Sequence, residues 1–135
     1  WAAVKGSLEA APIIMYLGGI AWTLGYDTIY AHQDKEDDVL IGVKSTALKF
    51  GASTARWMIG FYIGIFTALL LSGYLADLTL PFYIIMAGAG AHLVWQVRAL
   101  DIDNADLCLI LFKSNKVFGL IVLAAIIAGK FSLPW

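Results

Sequence analysis

Cysteine is nearly absent. Cys108 is the only one in 135 residues, so no disulfide can form within the chain and a stapled scaffold is excluded. Charge is scarce too: Asp, Glu, Lys and Arg make up 14% of the chain, against about 25% in an ordinary soluble domain. Neither sign is in excess. Nine Lys and Arg stand against ten Asp and Glu, which leaves no basic field for a phosphate backbone and excludes a nucleic-acid partner. A charged n-region with a cleavage site is lacking as well. The chain begins at Trp1 rather than Met, and the expectation is a processed chain or a piece of something longer.

Apolar side chain is what the sequence has in quantity, at 61% of residues with a mean hydropathy of +0.80. That is too much for one small core, with too little charge to coat it, so an all-α, polytopic membrane helix bundle is predicted. Charges mark the spans. Seventeen uncharged residues run from Ala10 to Tyr26, twenty from Trp57 to Ala76 and twenty from Leu78 to Val97. A fourth run, Val117–Gly129, reaches Lys130, whose stem can snorkel. A hydrocarbon core of about 30 Å needs roughly 20 apolar residues as a helix. Four transmembrane helices are therefore expected at about 10–33, 55–76, 80–98 and 115–133.

Loop charges orient them. Lys35, Lys44, Lys49 and Arg56 follow the first span, and Arg98, Lys113 and Lys116 follow the third, whereas the turn at Asp77–Pro81 has no Lys or Arg. With four spans both basic connections fall on one side, the cytoplasmic one by the positive-inside rule. Trp1, Trp57, Trp95 and Trp135 sit near span ends, where an interfacial belt places them. Gly18, Gly19, Gly60, Gly64, Gly88 and Gly90 suit close helix approach in a membrane, with Gly60 and Gly64 read as a packing contact.

Half of the acids lie in one stretch: Asp27, Asp34, Glu36, Asp37 and Asp38. If the first helix continues, Asp27, Asp34 and Asp38 fall within roughly 40° of one another, with Tyr30 close to the same face. Stacked carboxylates repel unless a cation joins them. An oxygen-only donor set suits Mg²⁺, which keeps waters and recruits a substrate phosphate. A solvated acidic loop is the plain alternative, and it suits the second acidic patch, Asp101–Asp106, better still. Asp27 reads as functional, since intramembrane carboxylates are rarely idle. Lys44 is either an orientation-setting lysine or a phosphate contact. A calcium loop fails because Val39, the sixth position of a loop opening at Asp34, is not Gly, and Gly42–Thr46 lacks the Gly-Lys step of a phosphate-binding loop. His32 and His92 lack Cys partners for zinc, and His92 reads as a packed or interfacial histidine.

The string Tyr26–Asp38, followed by Ile41-Gly42-Val43-Lys44-Ser45-Thr46-Ala47, resembles the second aspartate-rich motif of the UbiA superfamily of intramembrane prenyltransferases. The remainder, including Asp101-Ile102-Asp103 and Phe112-Lys113-Ser114-Asn115, is similar to the C-terminal part of its members that act on 4-hydroxybenzoate. The resemblance implies a nine-helix enzyme of the bacterial or mitochondrial inner membrane. Such an enzyme transfers a polyprenyl group from polyprenyl diphosphate to the ring of 4-hydroxybenzoate in ubiquinone biosynthesis, with Mg²⁺ between two aspartate-rich motifs. It implies Asp34 and Asp38 as metal ligands, Asp27 as a supporting ligand or base, Tyr30 as a catalytic aromatic and Lys44 as a diphosphate contact. The first motif, Asn-Asp-x-x-Asp, has no match here. Residues 1–135 are thus expected to be the C-terminal part of a UbiA-type domain, needing the N-terminal half for activity. Two alternatives stand beside this: another UbiA-type aromatic or haem prenyltransferase, or a non-enzymatic cation-conducting protein whose Asp27 column lines an ion path.

Overall fold

The computed structural model describes residues 1–131. Trp135, and the last two residues of the span expected at 115–133, lie outside the described residues. Four long helices dominate: α2 (Ala10–Gln33), α5 (Thr54–Leu75), α6 (Leu80–Ala99) and α7 (Ala105–Phe131). Three short ones, α1 (Ala2–Lys5), α3 (Lys35–Ile41) and α4 (Thr46–Phe50), lie at the entrance to α2 and in the link from α2 to α5, which also holds one 3₁₀ turn at Gly51–Ser53. Among the described residues there are no strands. By length and composition α5, α6 and α7 can each cross a membrane, so the chain is an integral membrane protein built as a helix bundle.

Of the four expected spans, α2, α5 and α6 match the bounds of the first three closely. However, α2 is not among the three helices apolar enough to cross, and the fourth helix starts at Ala105 rather than near 115. Asn104 accepts a hydrogen bond from Leu107 N at 3.0 Å through its side chain, a cap that opens the helix ten residues early. Lys113 and Lys116 therefore stand on α7 itself and not in a loop. At about 1.5 Å per residue its 27 residues span roughly 40 Å, so about seven extend beyond the hydrocarbon. Both lysines are exposed and lie toward the end shared with Arg98, so the basic side is unchanged.

α2 differs from the other three. Its 24 residues are long enough to span, yet it is less apolar, because its second half carries Thr23, Tyr26, Asp27, Thr28, His32 and Gln33. It is held by packing, wedged against α5 on one side and α7 on the other, while α6 packs on α7. The α2–α5 contact is very close. A Cβ on Gly18 would stand 2.5 Å from Ala68 Cβ, and one on Gly25 would stand 2.8 Å from the Tyr62 ring. The Gly60–Gly64 pair contributes less: Gly60 faces open space and Gly64 makes an ordinary contact with Ala21.

The core between the helices joins Ile29, Met58, Ile65, Phe82, Met86, Leu111 and Phe118. At the less charged end, Thr79 in the α5–α6 turn donates through N and Oγ1 to Gly129 O, at 3.1 and 2.8 Å, and so pins α7 to that turn. Trp1, Trp57 and Trp95 are each about half exposed, as an interfacial belt requires.

Adjacent glycines should respond oppositely to one methyl group. Gly18→Ala is expected to destabilise the bundle by about 1–3 kcal/mol through overpacking against Ala68 and Ile65. Gly19→Ala, with nothing within 4 Å, is expected to be neutral or to stabilise by up to about 1 kcal/mol. Thermal unfolding of the two variants in one detergent checks this.

Candidate active site

The acidic motif begins on the last turns of α2. Gly18, Gly25, Thr28, Ile29 and His32 bury one face of that helix, and Thr28 Oγ1 donates to Leu24 O at 2.6 Å. The opposite face carries Leu17, Ile20 and Leu24 and then Asp27, all exposed and spaced by three or four residues. An apolar stripe thus leads straight up to a carboxylate.

The continuous column of Asp27, Asp34 and Asp38 does not form. α2 ends at Gln33, Asp34 leaves helical geometry at φ −107° and ψ 10°, and α3 begins at Lys35. The cause is local. Glu36, Asp37 and Asp38 occupy the first turn of α3, where the positive end of a helix stabilises acids, so restarting the helix there is favourable. Asp34 O still accepts from Asp38 N at 2.9 Å, which keeps the two aspartates one turn apart across the bend. Both are partly buried. α3 closes at Gly42, whose φ of 73° is left-handed, and Lys44 lies exposed in the turn that follows.

Tyr30 is 40% exposed and its ring centroid lies 4.8 Å from that of Phe112 on α7. Tyr26 meets the same ring at 5.8 Å, and Trp22 lies 5.1 Å from Phe118. An aromatic ladder therefore descends from the acids between α2 and α7. Below it an apolar groove of about 310 Å³ opens, lined by Met15, Gly19, Trp22, Phe118 and Val122 among others.

Two contacts hold the motif against its neighbours. His32 is buried and its Nε2 lies 2.8 Å from Thr54 Oγ1. Because that hydroxyl already donates to Gly51 O at 2.7 Å, Nε2 is the donor to it and Nδ1 is left as a buried acceptor. Lys35 reaches the other loop: its Nζ donates to Ile102 O at 2.7 Å and pairs with Asp103 Oδ1 at 2.5 Å. The second acidic patch is therefore more than a solvated connector, since Lys35 draws it over the end of α2. Lys35, through its hydrogen bond and then its charge, holds the Asp103 carboxyl below the usual carboxylate range.

A network of uncharged polar side chains runs inside the bundle. Tyr62 on α5 donates to Gln96 Oε1 on α6, and Gln96 Nε2 donates to Ser114 Oγ on α7 at 2.7 Å. Trp22 Nε1 donates to Asn115 Oδ1 at 2.8 Å, tying α2 to α7. His92 is half-buried beside Gln96 and Ser114, at 3.3 and 3.4 Å, as a packed histidine. The available signal was Gln96 inside the third uncharged run and Asn115 between Ser114 and Lys116, each amide needing a partner once buried.

Among the described residues no three His, Cys, Asp or Glu side chains converge into a protein-only metal cage. The Asp34–Asp38 pair is instead an incomplete, oxygen-only donor set. Two carboxylates one turn apart offer oxygen donors only, the donor type that Mg²⁺ takes.

Comparison with known proteins shows the family. The model of the UbiA prenyltransferase family matches residues 1–129. The chain is 49% identical over 130 residues to the mitochondrial 4-hydroxybenzoate polyprenyltransferase of Caenorhabditis elegans, covering 96% of this chain and 36% of that protein. It is 48% identical over 131 residues to the human mitochondrial 4-hydroxybenzoate polyprenyltransferase, covering 96% and 35%. The protein of the same name in Arabidopsis thaliana is 47% identical over 131 residues, covering 96% and 32%. The chain thus spans about a third of the length of the curated relatives it matches. No solved structure matches it at a significant level. With a helical membrane bundle, an acidic motif at a helix break and a family match over nearly every residue, the chain belongs to the UbiA prenyltransferase family.

Proposed function

We infer that this chain supplies one aspartate-rich side of an Mg²⁺-dependent site. That site transfers a polyprenyl group from polyprenyl diphosphate to the ring of 4-hydroxybenzoate in ubiquinone biosynthesis. The observation that carries this reading is the break at Asp34. It sets two partly buried carboxylates one turn apart at the membrane surface, directly above an aromatic ladder and an apolar groove. A substrate with a charged head and a long apolar tail needs that order of surfaces.

Asp34 and Asp38 would hold the ion. Mg²⁺ bound there would offset the negative charge that builds on the departing diphosphate. Lys44, exposed in the next turn, would meet the outer phosphate. The Tyr30 ring, positioned by Phe112, would present its π face to the allylic cation left on the prenyl chain. Asp27, three residues earlier on the exposed face, would support the ion or take the proton lost as the acceptor ring forms its new carbon–carbon bond. The tail would lie in the α2–α7 groove, below Tyr26 and beside Trp22 and Phe118. A first aspartate-rich motif from the N-terminal half would complete the site.

The Lys35–Asp103 pair would keep the second loop over this site. Because the folded Asp103 carboxyl titrates below an unpaired aspartate, at about 3.9, the pair is intact above that value. It is lost as pH falls through the lowered one. The loop is therefore expected to stay latched across neutral pH and to open only in acid.

Three measurements on the complete enzyme test the reading. Asp34→Asn and Asp38→Asn are each expected to lower kcat/KM for prenyl transfer by about 10²–10³-fold, the scale of one lost charge-stabilising group. Unchanged turnover at limiting Mg²⁺ would overturn the ligand assignment. Tyr30→Phe should retain most activity and Tyr30→Leu should lose it, because the ring face and not the hydroxyl is used. Lys35→Met and Asp103→Asn should each raise KM for the diphosphate, and the double variant should do no worse than either. Additive losses would show that the pair does not act as a unit.

A further inference from the structure

The α5–α6 hairpin is unlike the other neighbouring pairs. Only four residues join these helices, yet they pack against each other less than α2 packs on α5 or α6 on α7. Between them lies a groove of about 550 Å³, lined by Ile59, Ile63, Phe66, Gly90, Val94 and Arg98 among others. Its walls are apolar apart from Thr67, the edge of Tyr62 and Arg98, and the Tyr62 hydroxyl is already spent on Gln96. Phe66 lies over Gly90, its ring atoms 3.1 Å from where a Cβ would be, and closes the end furthest from Arg98.

Arg98 stands at the other end, on the side where the basic residues gather. It is exposed, and among the described residues the one ion pair is Lys35–Asp103, so Arg98 has no carboxylate partner there. The nearest acids in sequence are engaged elsewhere. Asp103 is held by Lys35, and Asp101 Oδ1 accepts from Asp103 N at 3.0 Å. Arg56 opens α5 on the same side and is likewise exposed.

We propose that this groove is a binding site for an anionic phospholipid of the basic-side leaflet, with one acyl chain between α5 and α6 and its phosphate on Arg98. A basic residue at the mouth of an apolar cleft between membrane helices is the arrangement that retains acidic lipids. Arg98 is the one charged residue among those that line the groove, and its sign is the one an acidic headgroup needs. A prenyl diphosphate bound through metal is excluded, since no carboxylate lines the groove.

The test uses the native-length protein carrying a fluorophore on Val94→Cys, in phosphatidylcholine vesicles with a minor share of brominated lipid. Brominated phosphatidylglycerol is expected to quench with about five-fold higher relative affinity than brominated phosphatidylcholine. That is the roughly 1 kcal/mol of one basic residue near an anionic lipid. The preference should fall with added salt, vanish in Arg98→Gln and survive in Arg98→Lys, which also serves as the folding control. Equal quenching by both lipids would mean ordinary bilayer contact and would overturn the site. Absence of quenching by either lipid would mean that protein covers the groove, and would overturn it as well.

Discussion

α2 has to carry carboxylates, a histidine and tyrosines to the membrane surface, and this costs it the hydropathy that holds α5, α6 and α7 in place. Its position depends on the close contact with α5, where Gly18 and Gly25 let the Ala68 methyl and the Tyr62 ring approach to distances no side chain would allow. Membrane helices gain nothing from excluding lipid, which is as apolar as they are, so packing and hydrogen bonds carry the association. With α2 seated in this way, Ile29 and His32 face inward and Asp27 faces out. The acidic motif keeps its direction because a stretch without acids, a turn or two earlier, is tightly packed.

The same constraint explains the network around Gln96. In hydrocarbon a polar group without a partner costs several kcal/mol. Gln96, Asn115, Tyr62, Ser114 and Trp22 answer one another across four helices. These bonds specify rotation about each helix axis more sharply than apolar packing does, because each donor has few acceptors in reach. They also fix Phe112 and Phe118, each within one turn of Asn115, as the aromatic wall facing α2.

On the basic side, order comes from a few contacts between short elements. Asn104 starts α7, Lys35 draws the loop before it to the end of α2, and the His32–Thr54 contact fastens α2 to the start of α5. Three segments distant in sequence are thereby gathered around Asp34. The proposed chemistry and the proposed lipid use opposite sides of α5: the α2–α7 face carries acids and aromatics, and the α6 face carries one unpaired arginine above an apolar cleft.

The sequence by itself determined the membrane bundle, three helices nearly to the residue, the basic side and the family, because hydrophobic length, loop charge and a long acidic string are one-dimensional properties. It also singled out Asp27, Tyr30, Asp34, Asp38 and Lys44 as candidates. Only the tertiary structure decided how they are presented. A periodicity argument laid Asp27, Asp34 and Asp38 on one column, and local helix-end electrostatics broke it at Asp34. The early start of α7 turned on a single side-chain cap, and the roles of Lys35, Gln96 and Asn115 turned on partners up to 93 residues away. Such pairings follow from which helix faces meet, and spacing along one chain does not encode that.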